Sequence, residues 1–172
     1  MNHPQIGYRS FDSKIGQVCV AVSEDGVVSV DFNGNAEARV IAHVKHAYPG
    51  CELIKNSLLA DEAAKQLKEY FAGKRQAFDL KLSPKGTEFQ RQVWDALTKI
   101  PYGQTRSYAD VAAMIGNPRA CRAVGNANHH NPIPPIAACH RVISADGSLG
   151  GYAGSPHLKA ALLEHEQKHL KS

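Results

Sequence analysis

Cys139 is followed directly by His140 and Arg141, in the run Ala138-Cys139-His140-Arg141-Val142. Only a thiolate attacks, and free cysteine titrates near about 8.5, so a nucleophilic cysteine needs a base or a positive neighbour. His140 and Arg141 can supply either. Alone the pair is a weak sign, since free cysteine is among the most buried residue types and packs as a small apolar side chain. Its position sharpens it: the run comes shortly after a helix-turn-helix pattern that ends at Asn131-Pro132. A reactive thiol beside a DNA-reading element suggests chemistry done on DNA by the protein's own sulfur.

That DNA-reading element is built from two short helices. Ser107 can cap the first, through Ile115, with Val111, Ala112 and Ile115 on its apolar face, and Gly116-Asn117-Pro118 makes the tight turn. The second is expected from Pro118 or Arg119 to about His129. Its residues are mostly small, where a major-groove reader carries several long hydrogen-bonding side chains. Small residues permit close approach to the minor groove, which reads little sequence, so DNA binding without strong sequence preference is expected. The same residues suit a tightly packed internal helix, and from them alone both readings stand.

Other elements must position this region. Ile6 to Phe11, Gln17 to Val22 and Val27 to Phe32 alternate apolar and polar residues and predict an antiparallel meander, turning at Ser13-Lys14-Ile15-Gly16 and Glu24-Asp25-Gly26. Helical spacing predicts helices over Ala36 to Ala47, stopped by Pro49-Gly50, and over Leu58 to Phe71, with Gly73 as C-terminal cap. Phe78 to Leu82 reads as a short strand. Ser83-Pro84-Lys85-Gly86 is the candidate boundary between a supporting domain, residues 1–83, and a second domain, residues 87–172. Thr87 and Gln90 form a capping box for a scaffold helix carrying Phe89, Val93, Trp94, Leu97 and Ile100. The expected class is therefore α+β, a strand meander with helices followed by a mostly helical domain with a helix-turn-helix.

Composition bounds the partners. With 172 residues, 43% hydrophobic and 21% charged, the chain suits one or two soluble domains. No apolar run approaches the roughly 20 residues of a membrane span, and Met1 to Gln5 lacks the features of a secretory signal. No membrane partner is expected, and the location should be cytoplasmic, or nuclear in a eukaryote. A net charge of +4 is compatible with a polyanion without demonstrating one. Cys19, Cys51, Cys121 and Cys139 form no CxxC pair, which argues against a zinc ribbon and a disulfide framework. Of the nine histidines only His165 and His169 have ligand-like spacing, with no third ligand evident, so no metal is expected there.

From Gly86 to about His169 the chain resembles the 6-O-alkylguanine-DNA alkyltransferases, the methylated-DNA-protein-cysteine methyltransferase family. The resemblance is carried by Gly86-Thr87-Glu88-Phe89-Gln90, Ile100-Pro101-Tyr102-Gly103, Thr105-Arg106-Ser107-Tyr108, Arg122-Ala123-Val124-Gly125, Asn131-Pro132, Cys139-His140-Arg141-Val142, Gly151-Tyr152-Ala153-Gly154 and Lys159 through Leu162-Leu163 to Glu166. The first domain matches more loosely, through its meander and the Phe11 to Gly16 turn.

The resemblance implies single-use repair, in which an alkyl group passes from the 6-oxygen of guanine, and from the 4-oxygen of thymine, to Cys139. It further implies that His140 is the base, acting through a water, and that Glu166 orients it, with Glu164 the decoy. Asn131 would hold the bend before the active-site segment. Tyr108 would help rotate the nucleotide out and donate to the leaving guanine, and Arg122 would fill the gap in the stack, beside DNA contacts at Ala123 and Gly125. Val142, Tyr152, Ala153 and Pro134 would line the base pocket. The implied partner is duplex DNA with alkylated bases, met in the minor groove by a monomer that needs no cofactor or metal.

Two departures from the family pattern are Ala138, where a proline is usual, and His129-His130, where a small residue usually precedes Asn131. The zinc site of some members is not expected, because Ser23 and Val28 stand in its region. Three rivals remain at this level. A non-catalytic binder of alkylated DNA would lack the acceptor cysteine, and a redox-sensing regulator would need sequence-specific binding. A cysteine hydrolase would need a strand-to-helix nucleophile turn.

Overall fold

The computed structural model describes residues 3–149 and 156–170. Contacts divide the chain into two compact units, residues 1–85 and 86–172. Among the described residues no helix is long and apolar enough to cross a membrane.

In the first unit β1 (Gln5–Ser13), β2 (Gly16–Ser23) and β3 (Gly26–Phe32) form the antiparallel meander that the alternation predicts. A fourth strand, β4 (Glu52–Lys55), lies parallel to β1 and completes the order β3-β2-β1-β4. Its four residues are too few to show a period. Helix α1 (Ala36–Ala47) turns Ala36, Val40 and Val44 onto Ile6, Cys19, Ala21 and Val28 of the sheet. Fully burying such side chains is worth roughly 1.5–3 kcal/mol each for the larger ones, which is what fixes the helix to the sheet.

Two expectations need correction here. The helix predicted over Leu58 to Phe71 begins as a 3-10 turn, Leu58–Ala60, capped by the Ser57 hydroxyl, and α2 proper spans Asp61–Phe71. It closes in a Schellman motif: Lys74 N–H donates to Glu69 O and Gly73 N–H to Tyr70 O, with Gly73 at φ 77°. The strand predicted over Phe78 to Leu82 is absent. The Gln66 side chain donates to Asp79 O and accepts from Asp79 N, taking the main-chain groups that a ladder would need. Only Leu82 bridges the sheet, opposite Val27. Gly26 allows that approach, since a Cβ there would stand 2.5 Å from Lys81 O and φ is 139°.

The second unit is mostly helical. Thr87 and Gln90 form the capping box of α3 (Glu88–Thr98), and Ser107 and Asp110 form another at α4 (Tyr108–Met114). Helix α5 (Cys121–His129) starts later than expected, because Pro118 and Arg119 belong to a turn closed by Ala120 N–H on Asn117 O. Val124, Ala127 and Asn128 of α5 are buried, while Arg122, Ala123, Asn126 and His129 are exposed. One face is therefore open, which removes the reading of α5 as an internal helix. The Trp94 indole of α3 donates to Ala127 O at 2.8 Å and ties the scaffold to α5. A two-stranded parallel pair, β5 (Arg106–Ser107) with β6 (Val142–Ile143), and α6 (Pro156–Lys168) complete the unit. The α+β class holds.

Candidate active site

All described candidates for chemistry lie in the second unit. Cys139, His140 and Arg141 form a single 3-10 turn, and all three are buried. The turn is entered through Ala138 at φ −81° and ψ 63°, with Cys139 N–H donating to Ala137 O at 2.8 Å. These are the dihedrals of an inverse γ-turn, and φ is one that proline also adopts. Thus the bend before the nucleophile forms with alanine in it.

The β5–β6 pair brings distant segments together. Ser107, which caps α4, pairs with Ile143, four residues beyond Cys139. Tyr108, the first residue of α4, is consequently close enough for its phenol to feel the Cys139 sulfur. Burial first, and Cys139 second, push the Tyr108 phenol above its ordinary pKa, so it stays protonated and able to donate.

Two side chains and one main-chain N–H meet at Glu166. His140 Nε2 lies 2.6 Å from Oε2, and both side chains are fully buried. Arg141 adds a fork, Nε to Oε1 and Nη2 to Oε2 at 2.8 Å each, and also donates to Ile100 O. Gly103 N–H donates to Oε1 at 3.1 Å, and the next residue on α6, Gln167, donates to Gly103 O at 2.7 Å. Burial disfavours the Glu166 carboxylate, but hydrogen bonds from His140 and Arg141 outweigh it and hold its pKa far below the usual range. For His140 burial is the largest influence and lowers the pKa, with Arg141 and Lys159 opposing protonation as well. The imidazole is therefore neutral at rest and donates Nε2–H to the carboxylate. Its Nδ1 is buried, has no hydrogen-bond partner among the described residues, and keeps its lone pair.

Arg141, one of the two possible supports of the thiol by sequence, spends its guanidinium on Glu166 and the Ile100 carbonyl. The positive neighbour is Lys159, a residue to which the family resemblance assigns no role. Lys159 is fully buried and donates to Val142 O at 2.6 Å. Burial lowers its pKa, and Cys139 is close enough to act against that shift. As an ammonium, Lys159 favours negative charge on the Cys139 sulfur. Its spacing to Leu162 and Glu166, three and seven residues on, puts Lys159 on the buried face of α6 and is the signal that was available.

Asn131 spans the bend after α5, donating to Ala137 O at 2.7 Å and accepting from Ile133 N–H at 3.1 Å. Asn128, also missed, is buried and donates to the Cys139 carbonyl at 3.4 Å. Gly125 lies under the Tyr108 ring, where a Cβ would stand 3.8 Å away. Arg122 and Ala123 are exposed on α5, and Pro134 is half-buried in the segment leading to Val142, which is buried. Tyr152 and Ala153, with the Ser155 cap, fall outside the described residues. Glu164 is exposed, away from His140's carboxylate partner.

Known proteins carry the same two units in the same order along the chain. Family models described as the ribonuclease-like domain and the DNA binding domain of 6-O-methylguanine DNA methyltransferase match residues 6–84 and 88–168. The chain is 46% identical over 165 residues to the methylated-DNA--protein-cysteine methyltransferase of Methanosarcina barkeri, covering 95% of this chain and 99% of the relative. Identity to the constitutive enzyme of Bacillus subtilis is 42% over 164 residues, covering 93% and 94%. The Mycobacterium tuberculosis OGT solved in complex with DNA superposes with TM-score 0.80 at 40% identity, covering 95% and 94%. With both units matched in order and nearly the whole length shared, the chain belongs to the 6-O-methylguanine DNA methyltransferase family.

Proposed function

We propose that this protein repairs DNA by direct reversal, taking an alkyl group from the 6-oxygen of guanine, and from the 4-oxygen of thymine, onto Cys139. The observation that carries the reading is the buried set Cys139, His140 and Glu166, in which a neutral imidazole keeps one nitrogen open while the other is tied to an anion. His140 takes the thiol proton, and Glu166 supports the imidazolium that results. The sulfur's electron pair then forms the S–C bond as the C–O bond breaks, and the Tyr108 hydroxyl supplies a hydrogen bond to the departing guanine. The thioether does not release its alkyl group, so each molecule acts once.

A base atom inside a duplex is out of reach of a buried cysteine, so the nucleotide must leave the stack. The open face of α5, where Arg122 stands beside the small Ala123 with Asn126 and His129 further along, supports approach to the minor groove of duplex DNA. Action as a monomer is part of this proposal. Incubation with a duplex carrying labelled 6-O-methylguanine tests the reading, which expects acid-stable label on protein in equimolar yield. Label released into solution with repeated turnover would refute it.

A further inference from the structure

Among the described residues of the active-site unit, the buried acceptors Nδ1 of His140 and Oδ1 of Asn128 have no hydrogen-bond partner. Buried polar groups are nearly always paired, so both need a physical reason. Both flank the nucleophile. His140 follows Cys139 in the same turn, and its other nitrogen is committed to Glu166. Asn128, in the last turn of α5 and 5% exposed, donates Nδ2 to the Cys139 carbonyl at 3.4 Å, so its amide oxygen is held beside the same residue.

We propose that Asn128 is a positioning residue for the transfer step: its Oδ1 and His140 Nδ1 accept the two hydrogens of one water, whose oxygen receives the thiol proton of Cys139. This rests on the alkyl-transfer reading and adds a residue to it. A buried water needs two to four polar partners, and two acceptors with one S–H donor complement its two hydrogens and its lone pair. In the step the S–H bond breaks and its electron pair stays on sulfur. The proton passes to the water oxygen, and one of that water's own hydrogens passes to Nδ1. The water is regenerated, and the pair becomes thiolate and imidazolium against Glu166. With only the imidazole to accept, the water is free to turn; a second acceptor aims its lone pair at the thiol. The 3.4 Å contact to the Cys139 carbonyl is slack, as such bonds often are before substrate tightens them. Because Asn128 belongs to α5, it also links the helix presented to DNA with the main chain of the nucleophile.

The test uses Asn128→Leu, close in size and without polar atoms, and Asn128→Ser, which keeps a small hydroxyl. The readout is the pH dependence of iodoacetamide labelling of the Cys139 peptide, followed by mass spectrometry, with melting temperature and transfer from 6-O-benzylguanine measured alongside. Asn128→Leu should move the labelling midpoint up by about one pH unit and slow benzyl transfer at neutral pH by about tenfold, with Asn128→Ser falling between it and the wild type. A folded variant of either kind whose labelling profile stays at the wild-type midpoint overturns the proposal, whatever its melting temperature, and the serine variant decides if the leucine variant does not fold. Labelling needs no alkyl transfer, so a wild type that takes up no benzyl group would fail the transfer reading while leaving the Asn128 result readable.

Discussion

The guanidinium of Arg141 and the carboxylate of Glu166 meet as two parallel hydrogen bonds, Nε to Oε1 and Nη2 to Oε2, each 2.8 Å long. The carboxylate that His140 uses is thus held in plane by its neighbour in sequence, and the buried pair adds fixed geometry to charge. Removing one partner leaves the other as an uncompensated buried charge. Glu166→Gln is therefore expected to cost about 3 kcal/mol of stability and to slow alkyl transfer at least tenfold. Glu164→Gln, on the exposed face, should stay within about 0.5 kcal/mol. Denaturant unfolding and single-turnover kinetics of both variants check this; equal effects would show that the wrong carboxylate has been assigned.

Acid should unfold this protein through the same cluster. In the folded state both His140 and Glu166 have pKa values below those of the unfolded chain, 6.5 and 4.5. The unfolded state therefore binds more protons over that range, and the stability these groups contribute, present above the unfolded values, is lost as pH falls. The melting temperature should decline below pH 6.5 and further below 4.5, with a shallower decline in Glu166→Gln, which has no carboxylate to protonate. A wild-type melting temperature that stays flat between neutral pH and 4 would contradict the protonation states assigned to the site.

Arg122 and Tyr108 separate reaching the base from reacting with it. Arg122 is exposed on α5, whereas Tyr108 is close to Cys139. Unstacking a duplex base costs a few kcal/mol, and free 6-O-benzylguanine needs none. Arg122→Ala should slow repair of duplex DNA by about thirtyfold and free-base transfer less than about twofold. Tyr108→Phe should slow both, by about tenfold, through the lost donor. Equal losses on both substrates for Arg122→Ala would make that residue structural.

Ala138 offers a stabilising substitution. Its φ of −81° and its place at the centre of an inverse γ-turn already satisfy a proline. Ala138→Pro should raise stability by about 0.4–1 kcal/mol, chiefly by restricting the unfolded chain, with Cys139 reactivity retained. Thermal unfolding and iodoacetamide labelling of Cys139 check it; a lowered melting temperature would show that residue 137 cannot precede a proline here.

How far the sequence was legible follows from the range of each interaction. The meander, α1, and the caps at Thr87, Ser107 and Gly73 rest on contacts within a few residues and could be read directly. Strand β4 and the β5–β6 pair could not, because their short runs become strands only through partners tens of residues away. The same holds at the site. Cys139 and His140 were legible as a thiol beside a base, whereas Glu166 entered through a family resemblance; nothing local distinguishes Glu166 from Glu164, and only the fold shows which one is buried beside His140. Lys159 and Asn128 were passed over because a lysine on a helix and an asparagine among small residues ordinarily face water. Phe78 to Leu82 misled in the opposite direction: its apolar residues suggested a ladder, and the amide of Gln66 took the main chain instead.

The most direct measurement of the central claim is peptide mapping by mass spectrometry after reaction with a duplex bearing 6-O-methylguanine. The account predicts one methyl group per chain, on the peptide containing Cys139, unmodified guanine in the recovered DNA, and no transfer by Cys139→Ala. Methyl found on half-buried Cys121 of α5, or transfer persisting in Cys139→Ala, would contradict it.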